Sequence, residues 1–181
     1  MEKENILIVI DAQNDFIDGA LSNDVAQERV SNIISLIKSK KWDFVILTRD
    51  THKNNYLETQ EGRKLPIEHC IKGSHGWQIH KDIMKTVIEQ DIPYNIINKP
   101  TFGYEYIGDS VYEICKEFSE LTITLCGFCT DICVISNALI LKSYFTDNTE
   151  INVIENACAG VTPESHDAAI MVMKNCQINI K

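Results

Sequence analysis

Six short apolar runs punctuate the chain, and longer stretches with helical spacing separate them. Residues 5–10 (Asn-Ile-Leu-Ile-Val-Ile) are apolar almost without interruption, the pattern of a parallel strand covered on both faces. Residues 44–48, 94–98, 121–125, 151–154 and 177–180 give five further strand-like runs. Between them, Val25, Val30, Ile33, Ile34 and Ile37 keep helical spacing behind a capping Asn23 or Asp24. Residues 77–88 read as an amphipathic helix headed by Trp77. A third helix, capped by Asp109-Ser110, carries Val111, Ile114, Cys115 and Phe118, and residues 134–145 form a helix apolar almost throughout. Thr162-Pro163-Glu164 places a threonine cap before a proline at the first helical position, opening a helix with Ala168, Ala169, Met171 and Val172. Only residues 53–75 break the alternation, as a long polar loop with Gly62, Pro66 and Gly73. Loops of that length in compact domains are often functional.

Strands alternating with helices predict an α/β fold: three α/β/α layers around a six-stranded, mostly parallel, Rossmann-like sheet. No repeat or linker interrupts the pattern, so residues 1–181 read as one domain. Ligands of such sheets bind at the carboxyl ends of the strands, where strand order reverses. Four polar clusters fall at those ends: Asp11 after the first strand, Asp50 and His52 after the second, Lys99 after the third and Cys133 after the fourth. Thr130 and Asp131 are good cap residues, which puts Cys133 in or near the first turn of the following helix. There the helix dipole and free backbone N–H groups favour the thiolate, the nucleophilic form.

Composition narrows the classes. The formal net charge of -9 argues against nucleic acid or an anionic membrane surface as partner. There is no basic leader followed by a long apolar segment and no run long enough to span a bilayer, which points to the cytoplasm. Seven cysteines, an odd number and several within apolar runs, fit reduced buried thiols better than a disulfide framework.

Three constellations carry possible chemistry. Asp11, Lys99 and Cys133 together offer a nucleophile, a cation to hold its thiolate and a carboxylate to shuttle a proton; the same residues also suit a buried ion pair beside a packed core thiol. Asp50, His52 and His69 offer one carboxylate and two imidazoles, a set suited to zinc, iron or manganese; histidines and aspartates of loops also serve turns. Glu58 and Glu61 lie in the same loop. Cys126, Cys129 and Cys133 space as C-x2-C-x3-C, but Cys126 falls inside a strand and the surroundings are too apolar for a cluster loop. Phe16, just past a strand end, is placed to line a pocket, whereas Trp77 suits packing. His75, His80 and His166 show no partner pattern.

Five motifs in order are also familiar: Asp11-x-Gln13-Asn14-Asp15-Phe16, Thr48-Arg49-Asp50-x-His52, Pro66-x-x-His69-Cys70, Lys99 after strand three, and Gly127-x-x-Thr130-Asp131-x-Cys133-Val134, with Thr162-Pro163-Glu164-x-His166 beyond them. Together they resemble the isochorismatase-like cysteine hydrolase superfamily and, within it, the nicotinamidase-related branch. The resemblance implies a triad of Asp11, Lys99 and Cys133, in which the thiolate attacks an amide carbonyl, ammonia leaves and water hydrolyses the thioester. It implies an oxyanion hole from the backbone N–H groups of Cys129 and Cys133, with a cis peptide at Phe128-Cys129. It further implies one divalent ion per chain (zinc, iron or manganese) on Asp50, His52 and His69, with Glu61 the nearest match for a fourth ligand, and a homo-oligomer as in relatives. The pocket would take a small amide between Phe16, Leu65, Phe102 and Phe128. Two departures bear on that pocket. Leu65 stands where many relatives carry an aromatic residue before the loop proline, with one extra residue between Pro66 and His69. Thr101-Phe102-Gly103-Tyr104 replaces the usual Ser-Ala-Phe after the lysine.

The leading expectation is an amidohydrolase, with nicotinamide to nicotinate the best single substrate. The alternatives are a metal-independent hydrolase of a carbamoyl or ureido compound or a vinyl ether, and a non-catalytic binding protein that keeps the fold.

Overall fold

The structure, a computed structural model, describes residues 3–39, 42–115 and 120–181. Its strands are β1 (Lys3–Ile10), β2 (Phe44–Asp50), β3 (Tyr94–Lys99), β4 (Glu120–Phe128), β5 (Thr149–Ala159) and β6 (Asn179–Ile180). Its helices are α1 (Asn14–Ile17), α2 (Asp24–Ile37), α3 (Gln60–Lys64), α4 (Lys81–Glu89), α5 (Ile107–Cys115), α6 (Ile135–Tyr144) and α7 (Pro163–Asn175). The sheet order is β3-β2-β1-β4-β5-β6, and every neighbouring pair is parallel. The chain thus winds outward from β1 to one edge, returns to β4 and winds to the other edge. Helix α2 packs on α4, while α6 packs on both α5 and α7, as right-handed crossovers require. The reversal falls between β1 and β4.

Burial explains why the strands were readable. Ile6, Leu7, Ile8 and Ile10 of β1 and Leu125 and Cys126 of β4 are wholly inaccessible, so both faces of the central strands are apolar. Cys126 is therefore a core strand residue. At the end of β4, Gly127 has φ of 118° and lies so close to β1 that a Cβ would overlap the Ile10 carbonyl. Only glycine lets the two central strands run side by side to their carboxyl ends.

Several elements differ from the pattern-based expectation, among them β5, which runs on to Ala159, and β6, which is only Asn179–Ile180. Helix α4 begins at Lys81, because residues just before it extend into an antiparallel bridge between Gln13 and Ile79, and His80 occupies the cap. Trp77 lies outside the helix, its indole N–H donating to Thr51 Oγ1 at 2.8 Å and the Arg49 guanidinium 3.7 Å above its ring. Helix α5 starts at Ile107, which places Asp109 within its first turn and not at its cap; Phe118, expected on this helix, lies outside the described residues. The long polar loop contains a 3-10 turn at Tyr56–Glu58 and the short α3, closed around Tyr56, whose side chain is wholly buried. No helix among the described residues is long and apolar enough to cross a membrane.

Candidate functional site

The ends of β1 to β4 deliver one charged cluster to the crevice between β1 and β4. Asp11 follows β1 with φ of 45°, a left-handed conformation that aspartate tolerates better than most residues. Its carboxylate accepts a 2.6 Å hydrogen bond from Thr48 Oγ1, which itself accepts from the Asp11 N–H at 3.1 Å. Lys99 closes β3 in register with Asp50, and its side chain passes the end of β2 to reach Asp11 Oδ2 at 2.6 Å. From there the ammonium also faces Cys133 Sγ at 3.5 Å, the Thr101 carbonyl at 3.1 Å and Asp50 Oδ1 at 3.7 Å. Asp11 and Lys99 are both at 0% exposure and Cys133 at 4%.

Electrostatics in this dry cluster are set by burial against the pairings. Burial would discharge Lys99, yet Asp11, then Cys133 and Asp50, hold its pKa above the ordinary lysine value. Burial pushes the Asp11 carboxyl up, with Lys99 pulling against it. For Cys133, burial pushes the thiol well up, the Asp11 carboxylate adds to that, and Lys99 opposes. Burial thus opposes the pull toward the thiolate expected from the helix start.

Cys133 sits in a π-helical turn, Thr130–Val134, that leads into α6. The N–H groups of Ile132 and Val134 both donate to the Cys129 carbonyl, at 3.1 and 3.0 Å, so Cys129 takes the cap position expected of Thr130 or Asp131. Those two side chains serve neighbouring elements instead. Thr130 Oγ1 lies 2.8 Å from Nδ1 of His166 on α7, and the Asp131 carboxylate accepts from the Val161 N–H at 3.1 Å. The peptide bond Phe128-Cys129, just before the turn, is cis. Burial pushes the Cys129 thiol up to about 12.

Beside this cluster, single ligand atoms from Asp50, His52, Glu61 and His69 all lie within 4.8 Å of one another. His52 Nε2 is 2.8 Å from Asp50 Oδ2 and 3.5 Å from Glu61 Oε1; His69 Nε2 is 3.6 and 3.9 Å from the same atoms. His69 Nδ1 lies 2.8 Å from the Ile67 carbonyl, which can only accept, so in the neutral ring it is Nε2 that carries the lone pair facing the group. Apart from these ion-pair contacts, Asp50 Oδ1, His52 Nε2 and Glu61 Oε1 are buried with no other hydrogen-bond partner among the described residues, and a cation at the centre of the group would satisfy them. Two imidazoles and two carboxylates of this geometry fit a divalent ion. Glu58 lies outside the group, and among the described residues no metal-capable group includes a cysteine.

A cavity of about 830 Å³ opens onto both clusters. Phe16, Leu65, Phe102 and Phe128 all line it, together with Cys129, Cys133, Asp50, Glu61 and His69. Phe128 is buried, whereas Leu65 and Phe102 are 37% and 46% exposed at its mouth.

Several residues that organise the site had no role assigned from the sequence. Gln13, wholly buried, accepts from the Asp50 N–H at 2.7 Å and donates to the Asp50 carbonyl at 2.9 Å, with its second N–H on the Trp77 carbonyl. Asp15 accepts from the N–H of Cys70, the neighbour of His69, at 2.7 Å and from Ala20 at 3.1 Å. Cys70 is itself left-handed, with φ of 48°. Tyr56 packs its ring 4.7 Å from that of His52 and 5.0 Å from that of His69. Thus Asp11, Gln13 and Asp15, at alternate positions, reach the Lys99 ammonium, Asp50 and the His69 loop in turn. A buried tyrosine in an otherwise polar loop was the one sequence signal available for Tyr56.

Residues 5–180 match the family model described as the isochorismatase domain. The nicotinamidase of Schizosaccharomyces pombe is 28% identical over 96% of this chain and 91% of its own length. The crystal structure of the nicotinamidase PncA from Bacillus subtilis, 25% identical, superposes with a TM-score of 0.79 and covers 98% of both chains. A pyrazinamidase of Pyrococcus horikoshii, solved in complex with zinc, shares the fold with a TM-score of 0.74 at 24% identity, again over 98% of both chains.

Proposed function

The chain belongs to the isochorismatase domain family, and from that premise we propose that it is an amidohydrolase that converts nicotinamide to nicotinate and ammonia. The observation that carries this reading is the placement of one buried ammonium, Lys99, between Asp11 at 2.6 Å and Cys133 at 3.5 Å, with Cys133 lining a cavity that Asp50, Glu61 and His69 of the four-residue group line as well. The nicotinamidases among its relatives support the substrate.

In this reading Asp11 takes the proton of the Cys133 thiol, and Lys99 holds the thiolate that results. Sulfur adds to the amide carbonyl, and the oxyanion is received by the backbone N–H groups of Cys129 and Cys133. The C–N bond then breaks, with Asp11 returning its proton to the departing nitrogen as ammonia. Water adds to the thioester, Asp11 accepts its proton, and the acid leaves with Cys133 reprotonated. A divalent ion bound by Asp50, His52, His69 and Glu61 would supply an open coordination position for a pyridine nitrogen. Phe16, Leu65, Phe102 and Phe128 would enclose the ring. The reading includes a cytoplasmic location and a homo-oligomer, the latter checked by light scattering of the purified protein.

Ammonia release from nicotinamide, assayed with Zn²⁺, Mn²⁺ or Fe²⁺ added, tests the proposal. Turnover that disappears in Cys133→Ala is expected. No turnover with any of the three ions would overturn the substrate, and activity retained by Cys133→Ala would overturn the nucleophile.

A further inference from the structure

Asn137 lies one turn after Cys133 on α6, wholly buried, and its carboxamide makes three hydrogen bonds. Nδ2 donates to the Cys133 carbonyl at 2.8 Å and to the Phe102 carbonyl at 3.0 Å, while Oδ1 accepts from the Tyr104 N–H at 2.9 Å. Both donors and one acceptor site are used, so the side chain has one orientation. The first bond stays within its own helix; the other two reach the loop that follows Lys99. That loop meets α6 closely. Gly103 is so near the helix that a Cβ there would stand 2.7 Å from Ile140 Cδ1 and 3.2 Å from Ser136 Cβ.

Phe102 needs such a hold. Its ring lines the cavity near Cys133 yet is 46% exposed, so side-chain packing fixes it on one side only. The rest of its placement comes from its backbone. The ties on that backbone are Lys99 Nζ on the Thr101 carbonyl, Thr101 Oγ1 on the Gly103 carbonyl, and the two bonds from Asn137 on either side of Gly103.

We propose that Asn137 is a specificity-determining positioning residue that locks the Phe102 wall of the cavity to the helix carrying Cys133. It touches no substrate and acts through Phe102. A ring bound with its amide at the thiol lies against that wall, so loosening the loop weakens ring binding and leaves the bond-breaking groups in place.

The variant that separates the two halves of the staple is Asn137→Ser. A serine hydroxyl can bond to the carbonyl one turn back, as Ser136 Oγ does to the Ile132 carbonyl at 2.6 Å on the same helix. It therefore keeps a tie to Cys133 and loses both ties to the loop. By hydrogen exchange, the Tyr104 amide should exchange about tenfold faster, the scale of one lost hydrogen bond, with β3 amides unchanged. With nicotinamide, KM should rise about tenfold while kcat stays within about threefold. In a Phe102→Ala background the same substitution should raise KM less than about twofold, because the two residues act as one unit. Gly103→Ala, whose Cβ would crowd Ile140 Cδ1 and Ser136 Cβ between the two Asn137 ties, should raise KM in the same direction and covers the case in which Asn137→Ser does not fold. Unchanged Tyr104 exchange, a loss confined to kcat, or equal KM changes with and without Phe102 would overturn the proposal. Its kinetic arm rests on the amidohydrolase reading; a wild-type protein inert toward nicotinamide would sink that reading, and the exchange result would still decide whether Asn137 holds the loop.

Discussion

Truncating Lys99 would leave Asp11 and Asp50 facing each other inside the protein without their shared cation. Removing one partner of a buried pair typically costs about 3–5 kcal/mol, because the charge that remains is uncompensated. Lys99→Ala should therefore lower the unfolding free energy measured in urea by that amount as well as activity, whereas an unchanged unfolding free energy would mean that water reaches the pair. Cys133 makes a second prediction at this scale. With its pKa raised, less thiolate exists at neutral pH, so iodoacetamide should label resting Cys133 more slowly at pH 7 than a free thiol, whose pKa is about 8.5, and faster as pH rises beyond that value. Rapid labelling at pH 6, read by mass spectrometry, would show that the Lys99 charge outweighs burial. Asp15→Asn keeps the size of the side chain but offers an N–H to one of the two backbone donors it now accepts, from Cys70 and Ala20. Loss of such support behind a ligand usually weakens metal binding about 10–100-fold, a shift that chelator competition would detect and an unchanged affinity would refute. Asp11, Asp50, His52, Lys99 and Cys133 were legible from the sequence as polar residues at strand ends. Gln13, Asp15 and His166 stood in the family's motifs without a role, and Asn137 in none, because they meet backbone atoms or a lone hydroxyl, and such partners do not reveal themselves by residue type.

At the scale of elements, the strands were the readable part: parallel strands buried on both faces write themselves as unbroken apolar runs. Helix starts were harder. The stretch from Trp77 is amphipathic, but the Gln13–Ile79 bridge and the His80 cap keep its first residues extended. Thr130 and Asp131 look like caps and are spent on His166 and Val161. The helical turns around Tyr56 are too short for periodicity to register. The close approach of β1 and β4 at Gly127 predicts that Gly127→Ala, with its φ of 118° and its overlap with Ile10, costs more than about 1 kcal/mol in denaturant unfolding. Activity would fall further than stability, since the cysteine turn starts three residues later.

Across the whole molecule, the order β3-β2-β1-β4-β5-β6 makes β1 and β4 the seam at which residues from both halves of the chain meet. An ion that binds only the folded protein stabilises it by mass action, by about 2.7 kcal/mol at a hundredfold excess over its dissociation constant. Chelation should therefore lower the melting temperature of metal-loaded protein, and Asp50→Ala protein should show no such drop. The seam has a further consequence for synthesis. Asp11, Asp50, His52, Glu61, His69 and Lys99 all precede β4 in the chain, and β1, β2 and β3 are consecutive neighbours in the sheet. A ribosome working from the N-terminus thus makes every carboxylate, imidazole and ammonium of the centre before it makes the sulfur. Cys133 is the last part delivered, on the turn that follows a strand which must pair beside the first one made.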